Sequence, residues 1–287
     1  YPGDGIGEVF LGKLMFDAVV GGMKRLRKRG SGTVLDGIRE VMQDKSEMNE
    51  QKKGQMLLSA QKARCDSDNR PLYYTEWNCN AILGSASSDT RKTACFLVKA
   101  ISEMAPYVTG SSIWAFSDIF DEFMIVPEEF SGGFGLLTLS GIPKPQFHAL
   151  KLMSATGPRQ YDLPITNDEV EISAYESDSQ KHLFVYRQRM KNVQEPPESY
   201  TVIFELSTQP KNITLYRIDE CHCNPLVEWE AMGSPVGLNR IEVETIMANT
   251  ALVAEEVDSS YKDGKLRLQS ELGVNDIHCY VIDLGSK

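Results

Sequence analysis

The feature that most constrains this chain is a change of rhythm near residue 158. Upstream of it, two β-prone runs, 71–78 and 111–118, are each followed by an amphipathic helical pattern, at about 90–105 and 145–156. Both runs are rich in aromatic and β-branched residues, the composition of a buried strand. Strand–helix–strand–helix is the rhythm of a parallel α/β sheet or barrel, because successive parallel strands need a crossover. Two strands cannot close a barrel, which takes eight. Left alone, they would expose apolar faces and an open edge, and such an edge pairs with something. Further polypeptide, from the same or another chain, is therefore expected to complete the sheet, and a homo-oligomer is one way to supply it. The opening residue is Tyr1 rather than Met, which fits that expectation.

The first helix should begin at Ser88 or Asp89 and turn Ala94, Leu97, Val98, Ile101 and Met104 inward. The second should bury Phe147, Leu150 and Met153. Between the second strand and that helix lies a loop, 119–144, rich in Gly, Phe and Glu. Residues 6–63 read as interrupted helix, with the basic run KRLRKR at 24–29 taken as a solvated helix end. The glycines of YPGDGIG at 1–7 have the wrong spacing for a dinucleotide loop.

Beyond Gly157 and Pro158 the pattern becomes all β. Short runs at 170–177, 183–189, 201–207, 212–218, 265–271 and 277–284 are separated by turn clusters, the signature of a β-sandwich. One helical stretch, about 238–253, interrupts them.

Composition excludes several classes. Apolar residues at 41% and charged residues at 24% are ordinary globular usage. A net charge of −10 disfavours a nucleic acid or an anionic membrane as partner. No apolar run reaches the roughly 18 residues of a membrane helix. No charged segment followed by an apolar core opens the chain, so a cytoplasmic location is expected. The six cysteines are expected as free thiols. The triplet Cys221, His222 and Cys223 is too tight for a disulfide and lacks zinc-pair spacing, so no metal is expected.

The chemistry concentrates at two strand ends. In TEWN at 75–78, Glu76 stands near the C-terminal end of the first strand, where parallel barrels keep their reactive groups. An ionised carboxylate there can act as nucleophile or base. Trp114, Phe116, Asp118, Asp121 and Glu122 stand at or beyond the end of the second strand. An aromatic platform beside carboxylates suits a sugar, whose C–H face stacks on the ring while its hydroxyls donate to the oxygens.

Four stretches carry a family likeness: YYTEWN at 73–78, WAFSDIFDE at 114–122, GGFGLLTLSGIPKP at 132–145 and YRIDECHCNPLVEWEAMGSP at 216–235. The chain resembles the C-terminal part of bacterial β-xylosidases of glycoside hydrolase family 39. Tyr1 and Pro2 are similar to the end of that family's His-x-Tyr-Pro segment after its sixth barrel strand. The likeness covers 1–2 and most of 71–284, while 6–70 is more weakly matched.

The resemblance implies the C-terminal part of a (β/α)8 TIM barrel over 1–157, followed by a β-sandwich accessory domain over 158–287. Residues 6–70 would be a helical insertion, and 71–78 and 111–118 strands seven and eight. It implies a retaining hydrolase that releases xylose from the non-reducing end of xylo-oligosaccharides, in xylan degradation, without cofactor. Glu76 would be the nucleophile. Trp114 would floor the sugar subsite, Tyr1 would hydrogen-bond the nucleophile, and Asp121 and Glu122 would grip hydroxyls. The family's acid/base lies in an Asn-Glu-Pro segment after strand four, which this sequence lacks; Asn49 and Glu50 are followed by Gln51. The segment alone should therefore be nearly inert. The family has Glu-Glu where Asp121 and Glu122 stand, and His where Ser131 stands, so sugar preference should differ from that for simple xylosides. The alternative is a non-catalytic carbohydrate-binding or scaffold protein derived from a truncated barrel.

Overall fold

A computed structural model describes Val20 and residues 52–285 apart from 82, 121–127, 164–168 and 258. Most of the expected helical insertion, including KRLRKR, lies outside the described residues.

Helix α1 (Gln55–Asp66) leads into strand β1 (Tyr73–Trp77). Helix α2 (Arg91–Met104) returns the chain to strand β2 (Gly110–Ile113), which runs parallel to β1. Tyr73 pairs with Gly110, Tyr74 with Ser111 and Trp77 with Ile113, with a shift of register between Tyr74 and Trp77. One face of the pair packs on α1 and α2 through Met56, Ala60, Trp77, Phe96, Leu97 and Met104. Tyr73, Thr75, Glu76, Ser111 and Ser112 of the pair are exposed.

Beyond Trp114, residues 115–118 leave β1 and bond instead to the 134–137 segment, so the strand expected over 111–118 is shorter. Ala115 N–H donates to Phe134 O at 3.1 Å and Asp118 N–H to Leu137 O at 2.9 Å. Helix α3 (Pro145–Ser154) follows. It buries Gln146, His148, Ala149 and Leu152, whereas Phe147, Leu150 and Met153 are half-buried. Leu150 and Met153 pack against the core as expected, and Gln146 is buried as well because it reaches into the loop region, donating to Ser88 O at 2.7 Å and Gly135 O at 3.1 Å.

Two antiparallel sheets complete the chain. Strands β3 (Arg159–Gln160), β4 (Glu171–Glu176), β5 (Gln180–Tyr186), β7 (Asn212–Ile218), β8 (Glu255–Glu256) and β11 (Ile277–Asp283) form one sheet in the order β3-β4-β5-β11-β7-β8. Strands β6 (Glu198–Glu205), β9 (Ser260–Lys262) and β10 (Lys265–Leu272) form the other, with β10 central. Two short helices, α4 (Pro225–Ala231) and α5 (Arg240–Asn249), lie between β7 and β8. Asn239 and Glu242 close a reciprocal capping box on α5.

The larger sheet is covered on both faces, which explains its sequence. Leu183, Val185, Leu215, Tyr280 and Ile282 meet Val202, Leu266, Leu268 and Leu272 of the smaller sheet. Phe184, Tyr186, Ile218, Ile277 and Cys279 meet Ala94, Cys95, Val98, Ala149 and Leu152 of α2 and α3. Strands β5 and β11 are accordingly near-continuous in buried residues, while β10, half of it facing solvent, alternates. The junction is also polar: Tyr175 and Ser102 share a 2.6 Å hydroxyl bond, and Arg91 pairs with Asp276 at 2.9 Å.

Candidate active site

Glu76 is the penultimate residue of β1. Its neighbour Trp77 is wholly buried against Phe96, with ring centroids 6.2 Å apart. Successive side chains on a strand point to opposite faces, so burying Trp77 turns Glu76 outward. The Glu76 carboxylate is exposed and takes no hydrogen bond or ion pair from another described residue. With Tyr73, Tyr74 and Thr75 it lines one wall of an open cleft of about 450 Å³, whose other wall is Ser59, Lys62, Ala63 and Asp66 of α1.

Trp114 follows β2 directly, and its N–H donates to Trp77 O at 2.9 Å. Asn78 Nδ2 donates to Trp114 O and, at 3.3 Å, to Phe134 O. The Trp114–Ala115 peptide is cis. The half-buried Trp114 ring meets the edge of Phe120, centroids 5.3 Å apart at 88°. Glu76 and Trp114 thus stand at the ends of two neighbouring parallel strands. Tyr1, Asp121 and Glu122 lie outside the described residues.

Asp118 corrects the sequence reading. Expected among the carboxylates beside the aromatic platform, it is buried and locked from below. Its Oδ2 lies 2.6 Å from Lys144 Nζ, and its Oδ1 accepts from Gly135 N–H at 2.7 Å. Asp89, expected as a helix cap, is likewise turned inward. Its Oδ1 lies 2.5 Å from Lys144 Nζ and its Oδ2 accepts from Gly132 N–H at 2.6 Å, leaving Thr90 as the N-cap of α2. Lys144 spends its third donor on Gly133 O at 3.1 Å. Burial alone would push this ammonium's pKa down, but the two carboxylates outweigh it and hold it above its ordinary value. Burial pushes the Asp89 carboxyl up, against the opposing pull of Lys144.

This knot explains the glycines of GGFG. A Cβ at Gly133 would fall 2.3 Å from Asp118 Oδ1, and one at Gly135 2.4 Å from Asp118 N. Gly132, at φ +80°, passes equally close to the Gly84 backbone. Ser131, where the family pattern has His, closes a local turn by donating to Glu128 O at 2.8 Å. The triplet at 221–223 disperses: Cys221 is exposed, His222 binds Asp219 at 2.7 Å and Cys223 is buried in the core. Among the described residues no three His, Cys, Asp or Glu side chains are grouped to hold a metal ion, and no helix is long and apolar enough to cross a membrane. Lys144 was missed in the sequence; its only signal was a lone cation in an otherwise apolar stretch.

The family model for glycosyl hydrolases family 39 matches residues 27–267. The chain belongs to that family. Over 214 residues it is 29% identical to a beta-xylosidase of Caldicellulosiruptor saccharolyticus, covering 73% of this chain and 44% of that protein. Over 207 residues it is 28% identical to a beta-xylosidase of Geobacillus stearothermophilus, covering 72% and 40%. The chain therefore spans less than half the length of either relative. Its fold is shared with a monomeric beta-xylosidase from Caulobacter crescentus CB15, with a TM-score of 0.64 at 21% identity, over 81% of this chain and 50% of that one.

Proposed function

We propose that this chain is the C-terminal portion of a retaining β-xylosidase-type glycosidase and that Glu76 is its nucleophile. In this reading β1 and β2 are the seventh and eighth strands of a (β/α)8 barrel, and the sheets beyond residue 158 are its accessory sandwich. The six remaining strands come from polypeptide joined to or paired with this chain, against the exposed side of β1 and β2.

The observation that carries the reading is the free carboxylate of Glu76 at the end of β1, beside Trp114 at the end of β2. A nucleophile must not be tied up in an ion pair, and a sugar ring needs an apolar floor beside it. Glu76 attacks the anomeric carbon of a terminal xylosyl unit seated on Trp114, displacing the rest of a xylo-oligosaccharide. Retaining geometry requires a second carboxyl about 5–5.5 Å away, which protonates the leaving oxygen and then deprotonates the attacking water. That partner belongs to the remaining barrel, so residues 1–287 alone do not turn over. Asp121 and Glu122 hold substrate hydroxyls, and Tyr1 steadies Glu76. No metal or cofactor takes part.

The test is to incubate a polypeptide carrying all eight strands with 2,4-dinitrophenyl 2-deoxy-2-fluoro-β-D-xyloside, then digest it and measure mass. The peptide containing Glu76 should gain one fluoroxylosyl unit. Labelling of another carboxylate, or none in an enzyme that hydrolyses xylosides, removes Glu76 from the role.

A further inference from the structure

We propose that Asp118 and Lys144 are positioning residues for Trp114. The ammonium of Lys144, clamped between Asp89 and Asp118, sets the orientation of the ring that receives the sugar. The link to substrate rests on the glycosidase reading above; the link to the ring rests on contacts within this chain.

The knot is closed to water: the side chains of Lys144, Asp118 and Asp89 are 0%, 0% and 2% exposed. Lys144 forms an ion pair with one oxygen of each carboxylate and donates to Gly133 O, while the other two oxygens accept from Gly132 and Gly135 N–H. Buried ion networks of this kind often stabilise no more than apolar side chains of the same volume would. What they do supply is direction, since each partner must occupy one place. Here the partners belong to three segments: Asp89 before α2, Asp118 after β2 and Lys144 before α3. They tie the 114–118 run to the glycine run 132–135.

From Asp118 the path to the ring is short. Phe120 N–H donates to Asp118 O at 2.7 Å, and the Phe120 ring braces Trp114 edge-on. On the other side, Ala115 N–H donates to Phe134 O and Leu136 N–H to Ala115 O, each at 3.1 Å. A displacement of Asp118 therefore moves both the brace and the backbone that carries the indole. A misplaced subsite wall can cost up to about 10²-fold in rate or binding.

The test uses the full-length enzyme labelled with 5-fluorotryptophan, with the Trp114 resonance assigned from its loss in Trp114→Phe. Asp118→Asn keeps the shape and the Gly135 bond but weakens the grip of Lys144. Its Trp114 fluorine resonance should shift or broaden while those of Trp77 and Trp229 stay in place. KM for 4-nitrophenyl β-D-xyloside should rise about tenfold, with kcat changing less than about threefold, the mark of lost uniform binding. The neutral triple variant Asp89→Asn, Lys144→Met, Asp118→Asn, of similar volume, should show the same pattern. Val202→Ala in the sandwich core should lower Tm without moving either readout. An unchanged Trp114 resonance, an unchanged KM, or loss of fold in both knot variants overturns the proposal. A moved resonance in a wild-type background with no xylosidase activity instead overturns the glycosidase reading and leaves the positioning of Trp114 standing.

Discussion

The Trp114 amide donates to the carbonyl of Trp77 at 2.9 Å, which places the indole at the strand end beside Glu76. Backbone pairing alone therefore fixes the lateral relation between the proposed nucleophile and the proposed sugar floor, because neighbouring strands run about 4.8 Å apart. Replacing Glu76 should change chemistry without changing that scaffold. In the complete enzyme, Glu76→Ala is expected to lower turnover of aryl xylosides by about a thousandfold or more, with an unchanged Tm. Added azide should then restore turnover and yield the α-xylosyl azide, since a small anion fills the place of the missing carboxylate. A β-configured azide would assign Glu76 to acid/base catalysis and not to nucleophilic attack.

Gly135 allows the closest approach of backbone to backbone in the knot. Its absent Cβ would fall 2.4 Å from both Asp118 N and Ser117 C, atoms of a backbone that has no rotamer to yield. Gly135→Ala should destabilise by about 2–3 kcal/mol, the scale of overpacking in a close-packed interior. Gly237→Ala, whose Cβ would meet nothing within 4 Å, should leave the urea midpoint almost unchanged. Equal midpoints for the two variants would show that the loop relaxes around residue 135.

What the sequence made legible was periodic. The runs that became β4, β5, β6, β7, β10 and β11 were visible from composition and spacing, as were α2 and the stretch containing α5. The edge strands β3, β8 and β9 were not, because two or three residues carry no period. On α3, Leu150 and Met153 do pack against the core, but the burial of a polar residue, Gln146, beside the half-buried Phe147 was not legible. Asp118 was misread for a related reason. An acidic residue beyond a strand end looks the same in sequence whether it faces a sugar or a buried lysine. Its partner stands 26 positions later in Lys144, and only the fold brings the two together. Glu76 was conspicuous because its motif is local. The acid/base that the proposed mechanism requires belongs to a family segment, Asn-Glu-Pro, for which these residues offer no counterpart motif, so the sequence pointed to only one of the two carboxyls.

His278 gives the sandwich a pH dependence. It is 2% exposed, with Nδ1 2.8 Å from the Tyr200 hydroxyl, and burial lowers its pKa to about 4. In the unfolded chain an imidazole titrates near 6.5. A folded value below the unfolded one means that stability is complete above about pH 6.5 and is lost as pH falls toward 4. His148, also lowered to about 4 by burial, acts in the same direction. Asp276, raised to about 6 by burial despite Arg91, acts in the opposite direction between about pH 6 and 4. The difference between wild type and His278→Gln isolates one group. Between pH 6.5 and 4.5 the wild type should lose about 2 kcal/mol more than the variant in urea titrations. Parallel curves would mean that His278 protonates freely in the folded state.

Phe184 decides whether the helical segment and the sandwich unfold together. It is fully buried in β5, edge-on to Tyr175 at 6.1 Å, in the cluster that joins the larger sheet to Cys95 and Val98 of α2 and Leu152 of α3. Phe184→Ala should cost about 3–5 kcal/mol through lost apolar contact and the cavity left behind. Because this cluster draws on both parts, the loss should not be confined to the sheets. In a Trp114→Phe, Trp229→Phe background, Trp77, on the far side of α2 against Phe96, reports on the helical segment by fluorescence, while far-UV circular dichroism is weighted toward the whole chain. In urea both signals should move to a lower midpoint by the same amount, as one cooperative unit requires. If only the dichroism shifts while the Trp77 signal holds its midpoint, the sandwich unfolds on its own, and the packing of α2 and α3 on β5 and β11 contributes little to the stability of the proposed active-site strands.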